Sequence, residues 1–267
     1  MNNIEKTNAK KQEVRSKPNS KRKKTDKDPN EPIRLNKFLA DSGVASRRSC
    51  DELIESGAVK VNGKTVSEMG TKVNHTDFIT VNGDPIKERK HLIYILLNKP
   101  KNVITTTSDE KGRKTVLDIV RKHVRIFPVG RLDRNTTGAL ILTNDGDLAH
   151  RLTHPSYQIE RIYNVRLDKP LHFEHARLIA EGVELEDEVT GPAELILHPE
   201  DKAKIIMKIT EGKNREIRRL FEHFGYEVKQ LARKYFANIT VGGMKIGEYR
   251  HLTRSEVRDL KKIVNLI

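Results

Sequence analysis

Apolar residues between positions 33 and 90 recur first at helical spacing and then in short strand-like runs. Leu35, Phe38 and Leu39 fall on one face of a helix predicted over residues 34–40. Gly43 follows as the left-handed residue that ends such a helix. A second helix is predicted to begin after Ser46, whose hydroxyl can cap free N–H groups, and to end at Gly57.

Two short apolar runs then lead into tight turns. Residues 58–61 and 78–81 are each followed by an Asn-Gly pair, at 62–63 and 82–83. Asn-Gly is favoured in two-residue hairpin turns, because both positions need a positive φ angle. The segment therefore predicts a small module of two helices followed by hairpins.

From residue 91 onward, buried strands are predicted to alternate with helices. Residues 91–97 are apolar and predict a fully buried strand, which Asn98-Lys99-Pro100 ends. Residues 139–142 predict a second buried strand, and 159–167 alternate like a half-buried one. Further elements follow from the same criteria: helices at 116–120 and 173–181 and from 147, 217 and 254, and strands at 193–197, 204–209 and 248–252.

Composition adds a strong positive charge. The 267 residues include 51 Lys and Arg against 37 Asp and Glu, a net charge of +14, which favours a polyanionic partner such as RNA or DNA. A protein of the membrane surface would need a basic amphipathic helix or a lipidation signal, and neither is found. No apolar run approaches the ~20 residues of a membrane span, and no secretory signal is recognisable. Cys50 is the single cysteine, so we expect no disulfide, no cysteine zinc site and a soluble, cytoplasmic protein.

The charge is concentrated in two places. Residues 1–31 carry ten Lys and Arg against five Asp and Glu, and we expect this arm to be disordered in isolation. It serves either to contact RNA or only to keep the protein in solution. Five further cations are predicted on one surface of the helix pair, where they are either solvated or bind phosphates: Arg34, Lys37, Arg47, Arg48 and Lys60.

Asp133 is the first candidate for chemistry. It lies in a loop between Arg131 and Arg134, directly before a buried strand. Functional groups favour loops that rigid elements hold, although most such acids are only solvated or bond their own backbone. The local sequence leaves both possibilities open.

Two more residues have a structural and a functional interpretation. Tyr163 lies on one face of its strand together with Arg161, and taken alone it is a core or rim tyrosine. Arg218 flanks the apolar stripe of a helix. It either lays its stem over the core or reaches an acid in a neighbouring site.

The motifs resemble two known families. The phrase RLNKFLADSGVASRRSCDELIESGAVKVNGKTV resembles the S4 RNA-binding domain. The motifs GRLDRNTTGALILTNDG, ERIYNVRL and EGKNREIRRLFEHFG follow it in order. Together they resemble the RsuA/RluB/RluF family of ribosomal RNA pseudouridine synthases, over about residues 33–260.

The resemblance implies an α+β fold and a division of the chain. We expect a basic arm at 1–31, an S4-like domain of two helices and a hairpin at 32–91, and a catalytic domain at 92–267. That catalytic domain would contain a mostly antiparallel mixed sheet with flanking helices. The S4-like domain would dock on structured RNA by shape and phosphate contacts.

The resemblance also implies roles for the site residues. Asp133 corresponds to the family's essential aspartate, as a nucleophile or a base, and Arg218 to the cation that keeps it charged. Tyr163 corresponds to the tyrosine that stacks on the flipped base, and Arg131 is expected to hold the RNA backbone or the loop. The reaction, uridine to pseudouridine, needs no cofactor and no metal.

The substrate is expected to be ribosomal RNA. Motif details resemble the RluB and RluF branches, which modify the large subunit, while a small-subunit target stays possible. The chain is expected to be a monomer, because no heptads or self-complementary apolar surface stand out. The rival hypotheses are a non-catalytic S4-type assembly factor, which has no need of Asp133, and a DNA-binding protein, for which no recognition helix is visible beyond the S4-like pair.

Overall fold

The computed structural model describes residues 31–87, 91–120, 124–185, 187 and 189–267. The predicted basic arm, 1–31, lies outside the described residues except for Glu31. None of the helices in these ranges has the length and apolar character needed to cross a membrane.

The helix pair forms as the apolar spacing predicts. Helix α1 (Leu35–Asp41) follows strand β1 (Ile33–Arg34), and its three predicted inward residues are buried. Helix α2 (Arg47–Glu55) begins where the Ser46 hydroxyl accepts a hydrogen bond from the Ser49 N–H at 3.0 Å.

Both Asn-Gly pairs form hairpin turns in the small sheets. Strand β2 (Val59–Val61) turns into β3 (Lys64–Thr65) through Asn62, at φ 51°, and Gly63, at φ 81°. A further strand, β4 (Lys72–Val73), pairs with β1, while β5 (Ile79–Val81) turns into β6 (Asp84–Pro85). The four-stranded sheet has the order β3-β2-β5-β6.

The remaining elements build a larger sheet with helices beside it. The strands are β7 (Tyr94–Lys99), β8 (Phe127–Pro128), β9 (Thr137–Thr143), β10 (Arg161–Leu167), β11 (Glu194–Leu197), β12 (Lys204–Ile209), β13 (Val228–Phe236), β14 (Ile239–Thr240) and β15 (Tyr249–His251). The helices are α3 (Val116–Ile119), α4 (Gly146–Thr153), α5 (Phe173–Glu181), α6 (Glu216–His223) and α7 (Arg254–Ile263), with a 3₁₀ turn at Pro155–Tyr157.

The larger sheet has nine strands in mixed orientation. Its main order is β11-β12-β10-β13-β9-β7-β15, with β8 on β9 and β14 on β13. Among the described residues of this sheet, only β13 and β9 pair in parallel, so the sheet is mostly antiparallel and the α+β prediction is confirmed. At that parallel contact Gly138 has φ +109°, and a Cβ there would lie 2.1 Å from the Arg233 carbonyl oxygen. Only glycine allows this approach.

The prediction was wrong at two places in this sheet. The strand predicted at 91–97 begins only at Tyr94, since Leu92 is 48% exposed, and it continues through Lys99, which was expected to end it. Strand β13, in the centre of the sheet, was not predicted at all. Its burial does not alternate regularly, because its pairing with β10 shifts register at two points, and one of its buried positions is a charged residue, Arg233.

Candidate active site

Asp133 lies in the loop between β8 and β9, and backbone contacts hold that loop on both sides. The Thr136 N–H donates to the Asp133 carbonyl at 3.1 Å, and the Thr105 hydroxyl donates to the Leu132 carbonyl at 2.8 Å. Leu132 itself is buried. The backbone is therefore anchored, while the Asp133 side chain stays 38% exposed and accessible to a ligand.

Lys99 holds this loop through hydrogen bonds to its backbone carbonyls. No role was predicted for this residue from the sequence. Its side chain is completely buried at the end of β7. The ammonium group donates to the carbonyls of Pro100, Asp133 and Thr136 at 3.1, 3.0 and 2.9 Å. Burial lowers the pKa of Lys99 to about 8, and the nearby Asp133 charge offsets part of that effect. A lysine placed directly after a buried run was the available signal.

Arg218 is the cation beside Asp133. It is carried by α6, whose apolar residues Ile217, Leu220 and Phe221 are buried and fix the helix against the core. Its Nε lies 3.9 Å from the Asp133 Oδ2, while its Nη1 donates to the Val228 carbonyl at 2.8 Å. The distance is at the limit of an ion pair, so the charge acts on Asp133 without occupying its oxygens.

The Arg218 guanidinium is itself affected by its surroundings. Burial and then the neighbouring Arg215 lower the pKa of Arg218, and Asp133 raises it. An arginine stays protonated under such shifts. A positive charge therefore stands beside Asp133 at any working pH.

Tyr163 and Arg131 border the same cleft as Asp133 and Arg218. The cleft has a volume of about 130 Å³. Tyr163 is 7% exposed and belongs to the main apolar core, and Arg131 is exposed at the entrance. Further basic side chains line the cleft: Arg161, Lys213, Arg215 and Arg233. The sequence-predicted site residues of the catalytic domain are thus brought together.

Two of the lining arginines are buried, and no role was predicted for them. Arg161 donates through Nη1 to the carbonyls of Ile159, Thr210 and Glu211 at 2.7–3.1 Å. Arg233 donates through Nε to the Ala139 carbonyl at 2.8 Å. Both guanidiniums lie over the ring of Phe236, at 5.5 and 4.5 Å from its centre. The strand pattern placed Arg161 on the face of Tyr163, which was a usable signal, whereas Arg233 belongs to the strand that was missed.

The cations predicted on the helix pair are not equivalent. The side chains of Arg34, Arg47, Arg48 and Lys60 are exposed. Lys37 instead lies half-buried between two carboxylates, at 2.6 Å from Asp41 and 3.3 Å from Asp147 of helix α4. Lys37 therefore contacts the catalytic domain, while the other four face solvent.

The arrangement suits a planar base with an attached sugar. Tyr163 offers an aromatic ring, Asp133 offers a carboxylate at the entrance, and several arginines offer donors. Among the described residues, no group of three or more His, Cys, Asp or Glu is arranged to hold a metal ion.

Comparison with known proteins agrees with this geometry. A family model described as RNA pseudouridylate synthase matches residues 93–223, and an S4 domain model matches residues 33–79. "Ribosomal large subunit pseudouridine synthase B" of Bacillus subtilis (strain 168) is 44% identical over 237 residues, covering 87% of this chain and 97% of the relative. "Dual-specificity RNA pseudouridine synthase RluF" of Escherichia coli (strain K12) is 39% identical, covering 88% of this chain and 81% of the relative.

A solved structure supports the fold. The "Crystal structure of pseudouridylate synthase" matches with a TM-score of 0.63 and 30% identity, covering 85% of this chain and 99% of that chain. The resemblance drawn from the motifs is thereby confirmed. This chain belongs to the RNA pseudouridine synthase family and carries an S4 domain before its synthase domain.

Proposed function

We propose that this pseudouridine synthase isomerises a specific uridine of large-subunit ribosomal RNA, with Asp133 as its catalytic carboxylate. The observation that carries the assignment is the meeting of Asp133, Arg218 and Tyr163 in one cleft. The large-subunit target is supported by the relative from Bacillus subtilis, whose name states that substrate. We also propose that the protein works in the cytoplasm, as a monomer.

The reaction breaks the bond between N1 of uracil and C1′ of ribose and forms a bond between C5 and C1′. One proton leaves C5 and N1 gains one, so that the product is an isomer and no redox partner is needed. Asp133 acts as a nucleophile on the nucleotide or as a base on the sugar, and both roles require its ionised form. The Arg218 Nε lies 3.9 Å from the Asp133 Oδ2, so a positive charge stands beside the reacting carboxylate.

Binding of the base rests on Tyr163, and binding of the RNA on the basic surfaces. The ring of Tyr163 stacks on the extruded uracil, an arrangement that compensates part of the few kcal/mol that base extrusion costs. Arg131 at the entrance contacts the RNA backbone. The exposed cations of the S4 domain, Arg34, Arg47, Arg48 and Lys60, contact phosphates of structured RNA. Lys37, which already contacts two carboxylates, contributes less.

Replacement of Asp133 by asparagine tests the assignment, because it removes the charge at constant size. We expect Asp133→Asn to form no detectable pseudouridine while it binds the RNA as tightly as the wild type. Asp84→Asn, an exposed position in β6, is the matched control and should retain full activity. Pseudouridine formation by Asp133→Asn would show that another group carries the reaction.

The target is tested by mapping pseudouridines in ribosomal RNA from cells with and without this protein. Loss of one large-subunit pseudouridine is the expected result. Loss of a small-subunit pseudouridine would replace the proposed target, and an unchanged map would favour an assembly factor without catalytic activity.

A further inference from the structure

Two buried polar side-chain atoms, on described residues that line the cleft, lack hydrogen-bond partners. Five buried side-chain atoms in the described part of the chain have none, and two of them belong to residues that line the cleft beside Asp133. These two atoms are Arg233 Nη2 and Thr136 Oγ1, and each residue is only 2% exposed. An unpaired buried group is costly, so a pair of them within one binding cleft calls for an explanation.

The strand register brings the two residues to the same place. Strands β13 and β9 run in parallel, with Arg233 opposite Gly138 and Ala232 opposite Thr137. Thr136 immediately precedes β9 and therefore lies one residue from this paired segment. The lack of a side chain at Gly138 is what lets the backbone of Arg233 approach so closely.

The Arg233 guanidinium is fixed rather than loosely placed. Its Nε donates to the Ala139 carbonyl at 2.8 Å, and its plane lies over Phe236 at 4.5 Å. Rotation to find another partner for Nη2 would break both contacts. Similarly, the Thr136 backbone is held through its N–H to Asp133 and its carbonyl to Lys99. The unpaired atoms therefore belong to fixed side chains of residues that line the cleft.

We propose that Arg233 and Thr136 recognise the hydrogen-bonding edge of the extruded uracil, with Arg233 Nη2 donating to a carbonyl oxygen and Thr136 Oγ1 pairing with N3–H. This inference rests on the proposed function. Uracil presents a donor, N3–H, between two carbonyl acceptors. A guanidinium N–H beside a hydroxyl matches that edge. If Arg233 faces O4, cytosine would place an amino donor against the guanidinium, so the arginine selects uracil, whereas the Thr136 hydroxyl can pair with N3 of either base.

Thr136→Val tests the hydroxyl at constant shape, because valine keeps every backbone bond of the loop. We expect kcat/KM to fall by about ten-fold, the loss of one hydrogen bond, while the thermal midpoint stays equal or rises. If the Thr136 hydroxyl only stabilised the folded protein, its removal would instead lower the thermal midpoint of unfolding. Thr137→Val, the next residue and not part of the cleft lining, is the control and should keep full activity.

Arg233 is tested by combining protein and RNA changes. Arg233→Met should lower kcat/KM by about 100-fold on unmodified RNA, since a charged donor is lost. Target uridines carrying sulfur in place of O4 or of O2 then identify the acceptor. The wild type and the control Lys234→Met should lose activity on one of these two sulfur-substituted RNAs. The activity of Arg233→Met should be the same on both of them as on unmodified RNA. Arg233→Lys, which keeps the charge, serves as the second variant if Arg233→Met fails to fold.

Several outcomes would overturn the inference. It is wrong if Thr136→Val keeps wild-type kcat/KM, or if it loses activity only together with thermal stability. It is also wrong if the sulfur substitutions affect Arg233→Met as strongly as the wild type, or if Arg233→Lys keeps wild-type kcat/KM. In each of these cases the proposed function is still supported as long as the wild-type protein forms pseudouridine. If the wild-type protein forms no pseudouridine, both the proposed function and this inference are wrong.

Discussion

Lys99 is a buried lysine beneath the Asp133 loop, and its replacement by methionine is predicted to loosen that loop. Three carbonyls within 3.1 Å would lose their donor, at a cost of about 1–3 kcal/mol each, and the Arg134 carbonyl at 3.4 Å would lose a weaker contact. Relief from burying a charge offsets part of this loss. The downward shift of the pKa from 10.5 to about 8 corresponds to roughly 3 kcal/mol. The net expectation for Lys99→Met is a destabilisation of up to about 6 kcal/mol at pH 7, with loss of most activity.

The depressed pKa of Lys99 also predicts how stability changes with pH. Because the folded protein releases this proton more readily than the unfolded chain, the contribution of Lys99 is complete above pH 10.5 and is lost as the pH falls through about 8. Wild-type stability should therefore rise relative to Lys99→Met by up to roughly 3 kcal/mol across this window.

Urea unfolding at several pH values between 7 and 10 measures this difference directly. Lys101→Met, an exposed lysine two residues further on, is the matched control and should follow the wild type at every pH. If the difference in unfolding free energy between wild type and Lys99→Met were constant over the whole pH range, the lowered pKa of the buried Lys99 would be refuted. Normal pseudouridine formation by Lys99→Met would refute its role in holding the loop.

Three further predictions concern other charged groups. Arg218→Met should lower kcat by about 100-fold or more with RNA affinity largely kept, while Arg219→Met should have little effect in the same assay. Hydrogen bonds from Arg250 lower the pKa of Glu256 to about 2, so this carboxylate contributes about 1 kcal/mol above pH 4.5 and loses it as the pH falls toward 2. Glu256→Gln should therefore be less stable than wild type at pH 7 and equal to it near pH 2 by thermal unfolding. Deletion of residues 1–31 should weaken RNA binding and flatten its salt dependence, whereas equal salt slopes would contradict a phosphate-binding arm.

The S4 domain was predictable because its signals are local. The capping hydroxyl of Ser46, the apolar stripe of α1 and the Asn-Gly turns each depend on residues within a few positions of one another. Such signals act on the backbone directly and do not depend on distant partners. The predicted helices and hairpins therefore formed where expected.

The centre of the catalytic sheet was not predictable in the same way. Strand β13 carries Arg233 at a buried position, and strand β7 ends on the buried Lys99. Charged residues are almost always solvent-exposed, so a sequence pattern assigns them to a surface or a loop. Here the carbonyl of Asp133 in its loop accepts from Lys99, while the carbonyl of Ala139 in β9 and the ring of Phe236 further along β13 surround Arg233.

The sequence by itself determined the helix–hairpin module, most strands of the sheet and, through its motifs, the family and the reaction. Only the tertiary structure determined which groups the buried charged side chains contact. Lys99 reaches a carbonyl 34 positions away and Arg233 one that is 94 positions away. These partners are set by the pairing of distant strands, which no local spacing encodes. The loop of Asp133 was visible in the chain, whereas the buried cations that support and surround it became visible only in the fold.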